Sequence, residues 1–156
     1  MKDIVPCLWF DGRAKEAVDF YASTFKNTKV GHVAHYGDGA PMPKGSVLTI
    51  ELEINGQRFL ALNGPPVFTF TPALSLIVNC ETQEEVDHFW EKLSEGGEKQ
   101  QCGWVKDKFG VSWQVVPTAL SELMKQATPA KSQKILDAIM QMTKLDIKKL
   151  QQAYAQ

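Results

Sequence analysis

Cys102-Gly103-Trp104-Val105-Lys106-Asp107-Lys108-Phe109-Gly110-Val111-Ser112-Trp113-Gln114-Val115-Val116-Pro117 reads as a β-hairpin. Asp107-Lys108-Phe109-Gly110 forms its turn, because glycine accepts positive φ at little cost. Val111 to Val116 is β-branched and aromatic, the composition of a strand. Side chains alternate along a strand, so Ser112, Gln114 and Val116 share one face and Trp113 and Val115 the other. One face carries a hydroxyl and an amide; the other is apolar. Pro117 lacks an N–H and ends the ladder.

Upstream of the hairpin, Ala73 to Asn79 predicts a strand. Thr82-Gln83-Glu84-Glu85 is a capping box, with Thr82 at the N-cap and Glu85 at N3. Val86, Phe89, Trp90 and Leu93 form the apolar stripe of the helix that follows, and Gly96-Gly97 stops it. Further strands fall around Lys99 to Cys102, at Trp104 to Lys106 and at Val111 to Val116. The order is β-α-β-β-β.

The same order occurs earlier. Ile4 to Phe10 predicts a strand, with Pro6 marking an edge or a bulge. Asp11 is a candidate helix cap, and Ala14, Ala17, Val18, Tyr21 and Phe25 fall at helical spacing. Trp9 and Cys7 are expected to lie under a helix. A strand follows from Lys29 to Tyr36, then a Gly/Pro-rich loop. Ser46 to Ile54 alternates, with Leu48, Ile50, Leu52 and Ile54 on one face. Asn55-Gly56 turns the chain into a partner strand, Gln57 to Asn63. The helices share the pattern E-x-V-D-x-aromatic, at Glu16 to Tyr21 and at Glu84 to Phe89. With the repeated element order, this reads as an internal duplication. Three prolines and Val67, Phe68 and Phe70 mark the connection between the halves.

After Pro117 the chain changes character. Leu120, Leu123 and Met124 fit a short helix. Thr128-Pro129 opens a second, with Ile135, Ala138, Ile139 and Met142 as its stripe. Asp146 caps a third. Six lysines against two aspartates from Lys125 onward read as a solvated helical face.

The 156 residues suffice for about one domain. Apolar content of 44% and charged content of 22% are those of a globular protein, and a net charge of −1 gives no argument for nucleic acid or an anionic membrane. Three cysteines without CxxC spacing indicate neither a disulfide framework nor a zinc site. No export signal and no apolar run of spanning length is read, so a cytoplasmic protein with reduced thiols is expected.

Two β-α-β-β-β modules on one chain resemble the vicinal oxygen chelate superfamily, which includes glyoxalase, bleomycin-resistance and dioxygenase proteins. The run Cys102 to Pro117, the Asn63-Gly64 strand end and the tail Ala138 to Leu145 are similar to its PhnB-like group, often labelled demethylubiquinone methyltransferase. The resemblance implies an α+β fold of paired βαβββ modules with a C-terminal helical extension. The modules would span residues 1–64 and 73–117, with a linker at 65–72 and a helical tail at 118–156. A methyltransferase is unexpected, because a common fold for that chemistry is a parallel α/β sheet with a glycine-rich first loop, whereas Asp11-Gly12-Arg13-Ala14 follows the first strand here.

The superfamily implies a cavity in each module and metal ligands on the first and last strands. The matching positions are Pro6, Ala61 or Asn63, Ala73 or Ser75, and Gln114. Proline and alanine cannot ligate, and Gln114 is a weak oxygen donor, so neither a divalent metal site nor another cofactor is expected. His32 and His35 fall on opposite strand faces, and His88 lies off its helix stripe. Gln114, Asn63 and Ser75 are the candidate polar contacts for a small, mostly apolar ligand, with Trp104 and Cys102 at the rim. The alternative is a lyase, isomerase or dioxygenase using Asp107, Glu51 or His35. The apolar linker residues and the relatives' habit of pairing modules imply a homodimer.

Overall fold

The computed structural model describes residues 4–156. It contains two compact units, divided between Thr69 and Phe70. The first holds β1 (Cys7–Phe10), α1 (Ala14–Thr24), β2 (Thr28–His35), β3 (Val47–Ile54) and β4 (Gln57–Asn63). The second holds β5 (Ser75–Cys80), α2 (Gln83–Leu93), β6 (Glu98–Lys99), β7 (Trp104–Lys106) and β8 (Ser112–Pro117). It continues into α3 (Thr118–Gln126), α4 (Pro129–Met140) and α5 (Ile147–Ala155). Strand orders are β1-β4-β3-β2 and β5-β8-β7-β6, so the second sheet repeats the topology of the first. In each, the first strand lies parallel to the last and the remaining pairs are antiparallel. This is the expected α+β fold of paired βαβββ modules. Val18 and Val86, equivalent in the E-x-V-D pattern, are both fully buried.

In the first unit the buried sheet face carries Leu8, Phe10, Ile50, Leu52, Ile54, Phe59 and Ala61. The α1 stripe of Ala14, Ala17, Val18 and Tyr21 packs on it. Each large side chain so buried contributes about 1.5–3 kcal/mol. The assignment of Trp9 and Cys7 to this face is corrected: Leu8 and Phe10 take it, Cys7 is exposed and Trp9 is half-buried on the opposite face. Alternation fixes that neighbours point apart, not which set points inward, and β1 is apolar on both sides. Trp9 instead anchors the segment after β4. Its Nε1 donates to the Pro65 carbonyl at 3.1 Å, and Phe68 meets its ring edge-on at 5.1 Å between centroids. Gly64 lies against the ring, where any Cβ would collide with Trp9.

The first helix also differs in its cap. Asp11 does not supply it. The Ala14 N–H donates to Asn63 Oδ1 at 2.8 Å, so the cap comes from the end of β4, 49 residues away. Thr82 caps α2 locally as the capping box predicts, accepting from Glu85 N at 3.2 Å, and Thr128 and Asp146 cap α4 and α5.

In the second unit Val78, Cys80, Val105, Trp113, Val115 and Pro117 form the buried sheet face, and Val86, Trp90 and Leu93 of α2 cover it. The strand expected to reach Cys102 is shorter. Gln101–Gly103 is a 3-10 turn in which Cys102 (φ +61°) and Gly103 (φ +82°) are both left-handed. Beyond β8 the helices have their own core of Ile135, Met142, Leu145 and Leu150.

The turn between β7 and β8 closes on a buried carboxylate. Asp107 Oδ1 accepts from Phe109 N (2.9 Å) and Val111 N (3.0 Å), and Oδ2 accepts from Trp113 Nε1 (2.8 Å). Gly110 takes the positive φ that the sequence assigned to it. Removing the carboxylate strands three donors. Asp107→Ala should therefore destabilise the protein by on the order of 3 kcal/mol in urea unfolding followed by far-UV circular dichroism. A loss under about 0.5 kcal/mol would contradict this role.

The extension is tied to α2 by Asp87, which pairs with Lys144 at 2.7 Å. The hydrogen bond from Lys144, then that from Gln83, holds the Asp87 carboxyl below its ordinary value of 3.8. The folded pKa is depressed, so this stabilisation is present above 3.8 and is lost as pH falls through the folded value below it. Both partners are partly exposed, which limits the effect to roughly 0.5 kcal/mol. Lys144→Met should flatten the fall in stability on acidification below 3.8 by that much in paired urea titrations.

Candidate functional site

The face of the second sheet opposite α2 is built by strand register. Gln114 is the centre of one row: Ile77 pairs with it from β5 and Trp104 from β7. The next row runs Ser75, Ser112, Lys106 and Glu98. Directly opposed side chains on neighbouring strands stand close enough to act on one molecule. Ile77 is 57% exposed and Trp104 and Gln114 are half-buried, whereas Trp113 and Val115, one residue away on either side of Gln114, are buried. An amide thus lies between an aliphatic and an aromatic side chain on a face that α2 does not cover.

Gln114 Nε2 donates to Ser75 Oγ at 2.9 Å. This bond crosses from β8 to β5 and fixes the amide plane. No other hydrogen bond of the Gln114 side chain is found among the described residues. Its carbonyl and second amide hydrogen can thus meet a ligand that offers a donor and an acceptor.

The remaining candidates are distributed differently. Asn63 belongs to the first unit and is buried. Its Oδ1 holds Ala14 N and its Nδ2 donates to Val47 O at 3.1 Å, while its main-chain carbonyl accepts from Tyr36 Oη at 2.6 Å. These bonds commit it to joining α1, β3 and β4. Cys102 is half-buried in the left-handed turn just before Trp104, with Sγ 3.7 Å from Met140 Sδ. Cys80 is buried beneath α2, and burial, then the charge of Glu85, pushes its thiol up to about 12, which removes it from nucleophilic chemistry. Desolvation raises the Cys7 thiol.

His32, His35 and His88 are all exposed. A register shift does occur between Val30 and Val33, yet among the described residues no three His, Cys, Asp or Glu side chains gather into a metal-binding group. The rows around Gln114 offer its amide, the Ser75 and Ser112 hydroxyls and, at the far edge beside Lys106, the single Glu98 carboxylate. One carboxylate without an imidazole falls short of the roughly three ligands of a catalytic divalent metal, so the set does not fit one. Asp107, considered as a base, has its oxygens engaged in the turn. Glu51 is exposed and accepts from His32 N at 3.4 Å.

Sequence reading missed two members of this arrangement. Ile77 falls within the predicted strand Ala73 to Asn79 without distinction, and its register opposite Gln114 puts it on the face away from α2. Gln83 looked like the interior of a capping box, yet its Nε2 donates to Leu145 O (3.2 Å) and its Oε1 accepts from Ile147 N (2.9 Å).

Fold and face together define a two-module, glyoxalase-like protein. The family model described as 3-demethylubiquinone-9 3-methyltransferase matches residues 2–116. A PhnB protein from Bacillus cereus, described under the same methyltransferase label, is 36% identical over 74% of this chain and 99% of its own, with a TM-score of 0.68. The crystal structure of protein PA1353 from Pseudomonas aeruginosa shares the fold at 24% identity, covering 75% of this chain and 98% of that one, with a TM-score of 0.63. No curated protein matches. The chain belongs to this PhnB-like family.

Proposed function

We propose that this chain binds a small, mostly apolar molecule with one polar end on the open face of the second sheet, without metal chemistry. The observation that carries the reading is the row Ile77–Gln114–Trp104, in which an oriented amide lies between two apolar side chains. The apolar part of the ligand would lie on Ile77 and Trp104, and its polar end would meet Gln114 and Ser75. Cys102 would border the same site through the turn that precedes Trp104. Asn63, bonded to Ala14 N and Val47 O within the first unit, is not assigned to this site.

The methyltransferase description belongs to the family model and to the Bacillus relative. Against its transfer to this chain stands the architecture. Each sheet has one parallel pair, and Asp11-Gly12-Arg13 follows β1 in place of a glycine-rich loop. No helix among the described residues is long and apolar enough to cross a membrane, and a cytoplasmic setting agrees with three unpaired cysteines.

Gln114→Leu tests the reading. An amide that serves a ligand can be replaced by an isosteric apolar group with little loss of stability. The melting temperature should stay within about 1 °C or rise, while binding of the molecule that copurifies, read by native mass spectrometry, is lost. A lowered melting temperature with binding intact would assign Gln114 to the fold. Turnover of methylglyoxal–glutathione adducts or catechols would favour an enzyme instead.

The protein is further proposed to form a homodimer through the segment after β4 or the C-terminal helices. Val67 and Phe68 are 63% and 67% exposed, an adjacent apolar pair that pairing of subunits would cover. Sedimentation at micromolar concentration should show a dimer, and Phe68→Ser should weaken it. A monomer would remove this part of the proposal.

A further inference from the structure

We infer that the C-terminal helical extension is a positioning element for the open face of the second sheet, holding Trp104 opposite Gln114. The inference rests on the binding reading above and concerns how that same site is kept in shape. The family match ends at residue 116, so the extension, including the Ala138 to Leu145 stretch expected to resemble the PhnB-like group, lies outside the matched residues.

The physical link is the turn Gln101–Gly103. Two consecutive left-handed residues, one of them the non-glycine Cys102, form a conformation that the chain adopts only when its surroundings impose it. The extension supplies those surroundings. Cys102 N donates to Met142 O at 2.8 Å, and Gly103 N donates to Thr143 O at 2.6 Å. A Cβ at Gly103 would lie 2.9 Å from Val115 O and 3.0 Å from Leu145 Cγ, so the turn is clamped between β8 and the extension. Trp104 is the next residue, and its carbonyl accepts from Gln100 N at 2.9 Å across the same turn. The direction from which the chain enters β7, and with it the placement of the Trp104 side chain opposite Gln114, is therefore set by segment 140–145, while the β7–β8 register comes from the Asp107 turn.

That segment is held independently of the site. Gln83 on α2 bridges Leu145 O and Ile147 N, Lys144 pairs with Asp87, and Met142 and Leu145 are buried with Ile135 and Leu150. Loosening these anchors should disturb the turn, and through it Trp104, without touching any residue of the open face.

The test uses the full chain with Gln83→Ala and, as a second route, Leu145→Ala. Amide hydrogen exchange is read by NMR, and the Trp104 indole resonance is assigned with Trp104→Phe. The hydrophobic dye 8-anilinonaphthalene-1-sulfonate serves as the binding probe. Exchange at Cys102 and Gly103 should accelerate at least about ten-fold, the Trp104 indole resonance should shift, and the dye affinity should change at least about three-fold. Protection at Val105 and Val115 should persist, showing that the sheet remains folded. Faster exchange at the turn with an unmoved Trp104 resonance would overturn the inference, as would unchanged exchange at Cys102 and Gly103 in both variants. A Trp104 that moves while the dye binds neither wild type nor variants would uphold the positioning role and count against the binding proposal alone.

Discussion

The second unit depends on one buried carboxylate. Asp107 takes two backbone N–H groups of its own turn and the indole N–H of Trp113, and Asp107, Val111 and Trp113 are all buried. Burying a charge is costly unless donors replace its hydration, and three donors at hydrogen-bond distance do so. The bond to Trp113 has a further effect. It pins the buried face of β8 and leaves Gln114, the next residue, on the opposite face. The register that pairs Trp104 with Gln114 and Lys106 with Ser112 follows from the same short turn.

Duplicated topology does not require duplicated chemistry. The two sheets share a strand order, yet α2 is capped by its own Thr82 whereas α1 is capped by Asn63 from β4. A local cap lets a helix end form with its own sequence. A cap borrowed across 49 residues ties that end to sheet closure. The first unit uses its polar strand-end residue to hold the helix. The second uses a chain extension, anchored through Gln83 and through the carbonyls of Met142 and Thr143, to hold its turn. Similar modules have thus been stabilised by different long-range bonds.

The strand positions that the family resemblance marks for ligands carry neither imidazole nor carboxylate here. They are Pro6 and Ala61 or Asn63 in the first unit, and Ala73 or Ser75 and Gln114 in the second. An amide and a hydroxyl bonded to each other at 2.9 Å can orient a neutral polar group but cannot replace a metal's water shell.

Much of this was legible in the chain itself. The alternation of Ser112 to Val116, the Asn55-Gly56 turn, the Thr82 capping box and the repeated E-x-V-D pattern are local signals, and local signals carry secondary structure and, through the repeat, topology. Placing Gln114 opposite the buried Trp113 needed only the two-residue period of a strand. Other features needed the folded chain. Cys7-Leu8-Trp9-Phe10 is apolar on both faces, so only packing against α1 decided that Leu8 and Phe10 go inward. Asn63 and Gln83 looked like a site residue and a helix residue, and distant partners turned them into a helix cap and an anchor for the extension. Short-range pattern reports what a residue can do with its sequence neighbours; which distant donor or acceptor claims it is settled only when tertiary structure brings the two together.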